Sequence, residues 1–345
     1  MTTEAGTKIY AGLDLHGNNV MCSLRDEAGR TVGKRRVDTT LKAVLEFLDP
    51  FRARIAGVGV ESTFNWYWLV DGLRAAGYPV TLANPAKMDQ YGGIKVTNDE
   101  TDAGWIAEMM RLGILPEAYI YPVEIRPLRD LLRRRQLINR QRTRTLLSLQ
   151  SMVTRHTGTK VVNNKLKRWT RKEVDATFPH PHNRAAALSL VETARFLGKQ
   201  VDQLEGLART ELKPDATLQR LMTLPGIGDI LGMTIRMEGG PLERFSDAGH
   251  YASYTRGVPS IRTSNDSKKG ENNRKNGNRH LAWAYVEAAN FAIRYSPEIK
   301  VWYERKKARS NGVIARKALA CKLAKAAFYV MRDGVNFEVK KMMGT

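Results

Sequence analysis

The sequence predicts an α/β domain over residues 1–121, a basic helical region with a coiled-coil seam over 122–215, and a mainly α-helical domain over 216–345. Three observations predict this order. Three strand-like runs precede the first helix-like run, which argues for a meander feeding a mixed sheet rather than a doubly wound one. The composition turns sharply basic near Pro122. Beyond Thr217, helical periodicities surround a Pro-Gly-x-Gly turn and one long polar loop.

The elements follow in order. Lys8–Asp14 (KIYAGLD) is a short apolar run that ends on an acid, and Asn19–Arg25 and Arg30–Val37 are further strands, separated by turn residues Asp26–Gly29. Thr39 and Thr40 supply an N-cap before Leu41, Val44, Leu45 and Leu48, which share a helical face. Ile55–Glu61 (IAGVGVE) reads as a buried strand that also closes on an acid. Trp66–Ala76 is helical, Pro79–Ala83 a strand, and Asp99–Leu112 a helix. In the middle region the stretch between Arg126 and Lys172 looks like a long helix with one apolar seam and a basic exterior, and residues 157–183 read as loop or short elements. Leu190, Ala194, Leu197, Val201, Leu204 and Ala208 then repeat as a coiled-coil seam, which serves an intrachain helical hairpin or a dimer contact equally well. In the last region Leu221–Ile230 is helix, turn, helix. Ala248–Tyr254, His280–Ile293 and Val313–Met331 are helices, and residues 259–278 form a polar, basic loop.

Charge narrows the function. The 345 residues include 56 Lys or Arg against 35 Asp or Glu, a net of +21, which favours a polyanionic partner. The two cysteines, Cys22 and Cys321, offer neither a zinc spacing nor a disulfide framework. No apolar run approaches membrane length and no signal-like segment opens the chain. A cytoplasmic protein with DNA or RNA as partner, and no membrane, is the expectation.

Four acids carry the strongest chemical signal. Asp14 and Glu61 each end an apolar strand, and Asp99 and Asp102 share one face at a helix start. If the two strands are neighbours and the helix crosses their ends, the four carboxylates converge. Such a cluster repels itself unless a cation intervenes, and hard oxygen ligands suit Mg2+ or Mn2+. The plainer alternative is a set of helix caps and surface acids. It suits Asp99 taken alone, but less well two acids that abut buried strands.

The basic stretch between Arg126 and Lys172 holds fifteen Lys or Arg and one acid, Asp130. Arg133, Arg134, Arg135, Arg140, Arg142 and Arg144 are candidates for nucleic-acid backbone contact, with a solvated face as the alternative. Pro225-Gly226-Ile227-Gly228 resembles a helix-hairpin-helix turn that offers backbone N–H groups to a phosphate, although a helix C-cap explains the same residues. The loop 259–278 sets Ser260, Thr263, Ser264 and Ser267 among Arg262, Lys268, Lys269, Arg274, Lys275 and Arg279. Composition alone favours phosphate contacts there over a nucleophile. His280, at a helix start, reads as structural before acid or base.

These pieces together resemble the DEDD-type transposases of bacterial insertion sequences, a group related to the Piv DNA invertase that includes recombinases guided by a bridge RNA. The resemblance runs nearly end to end. It rests on Gly12-Leu13-Asp14, Val60-Glu61-Ser62-Thr63, Ala83-Asn84-Pro85, Thr97–Ala103, Pro225–Gly228, Gly257-Val258-Pro259 and Gly277–Leu281. It implies a RuvC-like, RNase H-fold N-terminal domain whose acidic tetrad is Asp14, Glu61, Asp99 and Asp102. It implies a C-terminal transposase domain with a nucleophilic serine a few residues after the Gly-x-Pro piece, which counts to Ser264, with Ser267 and Ser260 as neighbours. Asn265 stands where that family commonly has glycine, and the segment before Asp99 reads Thr-Asn-Asp where Thr-Asp is commoner. Asparagine tolerates the left-handed backbone better than most residues.

The implied activity is DNA cleavage and rejoining through a phosphoserine link with Mg2+ or Mn2+ on the tetrad. The implied partners are donor and target DNA, a structured bridge RNA and further copies of the chain, as a dimer or a dimer of dimers, with the site shared between protomers. The implied setting is bacterial and nucleoid-associated. The alternative is a metal-dependent RuvC-like junction resolvase or nuclease that needs no serine. A third, non-enzymatic reading is an RNA-binding structural protein whose acids cap helices.

Overall fold

The computed structural model of the chain describes residues 6–88, 91, 102–211, 215–258, 261–264, 267–271 and 276–343, with backbone alone for 261–264 and 267–271. The chain divides into two compact units, Met1–Ile120 with Asn273–Asn276, and Tyr121–Asn272 with Gly277–Thr345.

The first unit is a five-stranded mixed sheet. β1 (Ile9–Leu15), β2 (Asn19–Asp26) and β3 (Thr31–Asp38) form the expected antiparallel meander. α1 (Leu41–Leu48) follows, its N-terminus capped by the Thr40 hydroxyl, which accepts from the Ala43 N–H. β4 (Ile55–Glu61) then pairs parallel to β1, with Leu13 opposite Val60. α2 (Tyr67–Ala75) leads to β5 (Val80–Ala83), parallel to β4, and the spatial order is β3-β2-β1-β4-β5. The short α3 (Pro85–Met88) and α4 (Asp102–Arg111) complete the unit.

Strand alternation gives the two sheet faces different jobs. Ile9, Ala11, Leu13 and Leu15 of β1 and Val58 and Val60 of β4 pack with Leu48, Leu69 and Leu73 in one apolar core. The residues between them, Gly12 and Asp14 on β1 and Gly57, Gly59 and Glu61 on β4, belong to the other face. There α4 lies on bare backbone. A Cβ on Gly12 would stand 2.0 Å from the Ala103 carbonyl oxygen and 2.6 Å from the Ala107 nitrogen. One on Gly59 would stand 2.5 Å from Cγ2 of Ile106. Arg25 of β2 also reaches Glu108 of α4 at 3.4 Å, and Arg111 holds the same carboxylate at 2.6 Å.

The second unit is helical. α5 (Arg126–Thr157) ends on Gly158 in the left-handed conformation. The short α6 (Asn163–Leu166) and α7 (Arg171–Thr177) follow, and α8 (Pro181–Glu211) returns along α5, so the seam is used within the chain. Ala194, Val201 and Ala208 of the expected seam lie on the buried line, and its leucines lie beside it. Ala187, Val191, Ala194, Gly198, Val201 and Ala208 are buried, while Leu190, Leu197 and Leu204 are half-buried flanks. The physical reason is close approach: the Arg142 guanidinium sits 2.9 Å from where a Gly198 Cβ would be.

α9 (Ala216–Leu221), α10 (Asp229–Gly239) and α11 (Ala248–Tyr254) precede a hairpin of β6 (Ile261–Ser264) and β7 (Ser267–Glu271). That hairpin corrects the expectation of a plain loop over 259–278: polar residues can pair backbone to backbone without the apolar alternation that marks a strand in sequence. α12 (Arg279–Tyr295), α13 (Pro297–Ala308), α14 (Gly312–Asp333) and α15 (Val339–Met343) close the unit around a core that includes Leu281, Tyr285, Leu319 and Phe328. α13 and α15 had no clear periodic signal. Among the described residues no helix is long and apolar enough to cross a membrane.

We expect Gly12→Ala to destabilise the protein by ~3 kcal/mol, because backbone atoms of α4 cannot yield as a side chain can. Gly17→Ala, whose Cβ would meet nothing within 4 Å, should stay within ~0.5 kcal/mol of wild type. Thermal unfolding checks both, and equal effects would refute the close-packing argument.

Candidate active site

Asp14 and Glu61 occupy neighbouring strand ends on the α4 face, and Asp102 is the first residue of α4. Asp14 is 5% exposed. Burial pushes the Glu61 carboxyl up to about 7, helped by its hydrogen bond with Asp14 and by the charges of Asp14 and Asp102. Two carboxyls share a hydrogen bond only when one holds a proton. Three of the four expected acids therefore feel one another. Asp99 lies outside the described residues. Among the described residues no group of three or more His, Cys, Asp or Glu side chains is arranged to hold a metal ion. The donor set nonetheless suits a hard divalent cation, because clustered carboxylate oxygens repel one another unless a cation neutralises them.

Two residues the sequence reading passed over steady this corner. His16, just beyond β1, places Nε2 3.0 Å from Oδ2 of Asp14. The Asn65 side-chain amide donates to the His16 carbonyl at 3.3 Å and accepts from the Thr63 hydroxyl at 2.9 Å. The turn after β4 is thereby tied to the turn after β1, which keeps the two acids side by side.

In the second unit Ser264 is the last residue of β6 and pairs in register with Ser267. Thr263 faces Lys268 and Arg262 faces Gly270. Lys269 is on β7. Pro259, Ser260, Asn265, Arg274 and Lys275 lie outside the described residues. The root of the hairpin is clamped. Arg256, at φ 57°, donates from Nε and Nη2 to the Gly277 carbonyl at 3.2 and 3.1 Å. The Asn278 N–H donates to the Tyr254 carbonyl at 2.6 Å. Gly277, at φ 82°, admits no Cβ, which would fall 2.6 Å from that same oxygen.

Asn278 also caps α12, accepting from the N–H groups of His280 and Leu281, and its amide donates to Glu238 at 2.7 Å. Glu238 of α10 is 2% exposed. Burial pushes its carboxyl up, but Arg133 and Arg129, at 2.5 and 3.1 Å, outweigh this and hold it below the usual range. His280 is buried with Nδ1 2.5 Å from the Gln136 oxygen, and burial, reinforced by Arg133, lowers its pKa to about 4. It is a neutral structural histidine.

The basic candidates on α5 divide accordingly. Arg133 is bound to Glu238, Arg135 donates to Glu205, and Arg142 lies against Gly198. Arg134, Arg140 and Arg144 are exposed. The Pro225–Gly228 turn connects α9 to α10. Gly226, at φ +85°, packs on α12, where a Cβ would meet the Ala288 carbonyl at 2.2 Å. Gly228 faces open space and borders a cleft of about 630 Å3 that also touches Arg135, Asn139, Trp283 and Phe291.

Two family models match this chain. A DEDD transposase model of the IS110 type, described as a transposase, matches residues 11–157. A second, described as the IS116/IS110/IS902 transposase family, matches residues 218–304, and together they cover more than half of the chain. The chain is 25% identical over 146 residues to the transposase for insertion sequence element IS1328 of Yersinia enterocolitica, which covers 41% of this chain and 44% of that one. It is 24% identical over 241 residues to a Sinorhizobium fredii protein named "Putative transposase y4qE", covering 68% and 57%. The matched part therefore spans about half the length of these relatives.

The Glu61 shift has a thermodynamic consequence. A carboxyl whose pKa rises from 4.5 to about 7 on folding contributes stability that is full below pH 4.5 and lost as pH climbs through 7. In EDTA, we expect Glu61→Gln to melt higher than wild type at pH 8 and to show a smaller fall in melting temperature between pH 5 and pH 8. An unchanged fall in the variant would refute the shared-proton pair.

Proposed function

The chain belongs to the IS110 family of DEDD-type transposases, and from that membership we propose that it cuts and rejoins DNA through Ser264, assisted by Mg2+ or Mn2+ held by Asp14, Glu61, Asp99 and Asp102. The observation that carries this reading is the convergence of Asp14, Glu61 and Asp102, expressed in the Glu61 shift. Isolated caps and surface acids would not raise one another's pKa.

In the proposed reaction the Ser264 hydroxyl attacks a DNA phosphodiester. A serine oxygen–phosphorus bond forms as the bond from phosphorus to one deoxyribose oxygen breaks. The serine hydroxyl loses its proton and the departing sugar oxygen gains one. Rejoining is the reverse attack, by a sugar hydroxyl on the phosphoserine, so the number of phosphodiester-type bonds is conserved and no nucleotide cofactor is needed. A bound divalent cation supplies charge neutralisation at the phosphoryl oxygens. The chain's own part is to hold the carboxylates together, through Asn65 and the α4 seat, and to fix the serine hairpin by its root. Donor and target DNA are the proposed substrates. A structured bridge RNA is the proposed guide, with base pairing reading sequence while protein reads backbone and shape. Exposed Arg134, Arg140 and Arg144 suit such backbone contact. A homo-oligomer, dimer or dimer of dimers, completes the proposal.

Incubation with flanking-element RNA, labelled donor DNA and Mg2+, followed by a denaturing gel, tests it. We expect a protein-linked strand that Ser264→Ala reduces by a factor on the order of 1000, and that Asp14→Ala or EDTA also removes. Cleavage that survives Ser264→Ala but fails in Asp14→Ala would favour the metal-dependent resolvase instead.

A further inference from the structure

A second cavity, of about 260 Å3, lies at the root of the β6–β7 hairpin, between the turn after α11 and the facing sides of α12 and α14. Arg256, Arg316 and Lys317 line it, and no acid does. Its remaining wall is largely apolar, with Val286, Val313 and Ala320. The Nε of Arg316 is buried in the protein without a hydrogen-bond partner. A buried guanidinium N–H left unpaired is costly, because it has lost water and gained nothing in return. Exposed Arg279 adds to the positive field, and burial and Arg279 together depress the pKa of Arg256. Arg256 is also the one non-glycine residue of positive φ among the described residues. Backbone strain of that kind persists where the surroundings over-determine it, commonly at functional sites.

We propose that Arg316, Lys317 and Arg256 form a phosphodiester-binding site that holds the backbone of the DNA strand presented to the serine hairpin. A phosphodiester supplies acceptor oxygens for the Arg316 guanidinium and the Lys317 ammonium, and Arg256, held by the Gly277 carbonyl, adds positive charge beside them. Its sugar carbons suit the Val286 and Val313 wall. The clamp from Arg256 to Gly277 ties the site to the described chain on either side of the hairpin. The assignment deepens the recombinase reading and rests on it for the identity of the strand.

Binding of the full-length protein to labelled single-stranded DNA, as a function of NaCl, tests the site. Arg316→Gln and Lys317→Gln should each reduce the salt slope by about one unit and weaken binding about tenfold at low salt. Arg316→Lys, which keeps the charge but lacks Nε, should retain the slope and recover part of the affinity. An oligonucleotide scanned with neutral methylphosphonate links should lose affinity at one position for wild type and not for Arg316→Gln/Lys317→Gln. Lys317 is exposed, so its variant reads binding without a folding defect. Unchanged slopes in both single variants, or a loss confined to an RNA oligonucleotide of the same sequence, would overturn the assignment. Ser264→Ala should bind like wild type. A wild type that binds through Arg316 and Lys317 yet forms no covalent strand would therefore fail the recombinase reading and leave the phosphate site standing.

Discussion

Asp102 can reach the ends of β1 and β4 only because α4 rests on a strip of sheet with no side chains. Gly12 gives the helix backbone its seat, and Gly59 and Gly57 make room for Ile106 and Met110. Any Cβ at Gly12 would lift the helix off the strand and carry Asp102 with it. The same alternation that removes side chains under α4 points Asp14 and Glu61 out of that strip at its far end. Packing and chemistry are thus set by one geometric choice: three glycines and two acids on one face of two adjacent parallel strands, with the apolar residues on the other.

That choice has an electrostatic cost. Asp14 is nearly buried, burial and the neighbouring acids drive Glu61 toward its protonated form, and Asp102 adds a further carboxylate at the helix start. His16 stands on one side, its Nε2 3.0 Å from Asp14. A fold that gathers carboxylates this tightly on rigid strands, and ties their turns together through Asn65, stores repulsion that a cation would relieve. The second unit handles its buried acid differently. Glu238 is matched inside the protein by Arg129, Arg133 and Asn278, so it has no charge left to offer a ligand. The contrast separates an acid neutralised by buried cations from acids gathered against one another.

Much of this was legible in the residues. Every strand of the sheet was recognisable, β1 and β4 as apolar runs ending on acids and the others as short runs near turn residues, and the order of elements implied the mixed sheet. The Gly12-x-Asp14 and Gly57-x-Gly59-x-Glu61 spacing was also there to be read as a helix seat, although apolar counting passes over glycine. The α8 seam was half legible: Ala194, Val201 and Ala208 of the expected repeat are buried, while its leucines flank a line completed by Ala187, Val191 and Gly198. The roles of Arg133 and Arg135 were beyond local reading, because their acids, Glu238 and Glu205, lie 105 and 70 residues away. A run of cations with one acid looks like a solvated or nucleic-acid-binding face until the fold brings distant carboxylates to it.

The two halves of the proposed chemistry are held by different means, and this has consequences for how the protein tolerates change. The carboxylates sit on β1, β4 and α4, where strand register and close packing fix them. Ser264 ends the first strand of a two-stranded hairpin, and the described chain on either side of that hairpin is held by Arg256 on Gly277 and by Asn278 on Glu238. A nucleophile supported this way is only as well placed as its root. Residues such as Glu238, Asn278 and Gln136, which touch no reacting atom in the proposed reaction, would then govern the serine's placement through the N-cap of α12. Substitutions in that network should act on the step the serine performs while leaving the carboxylates as they are.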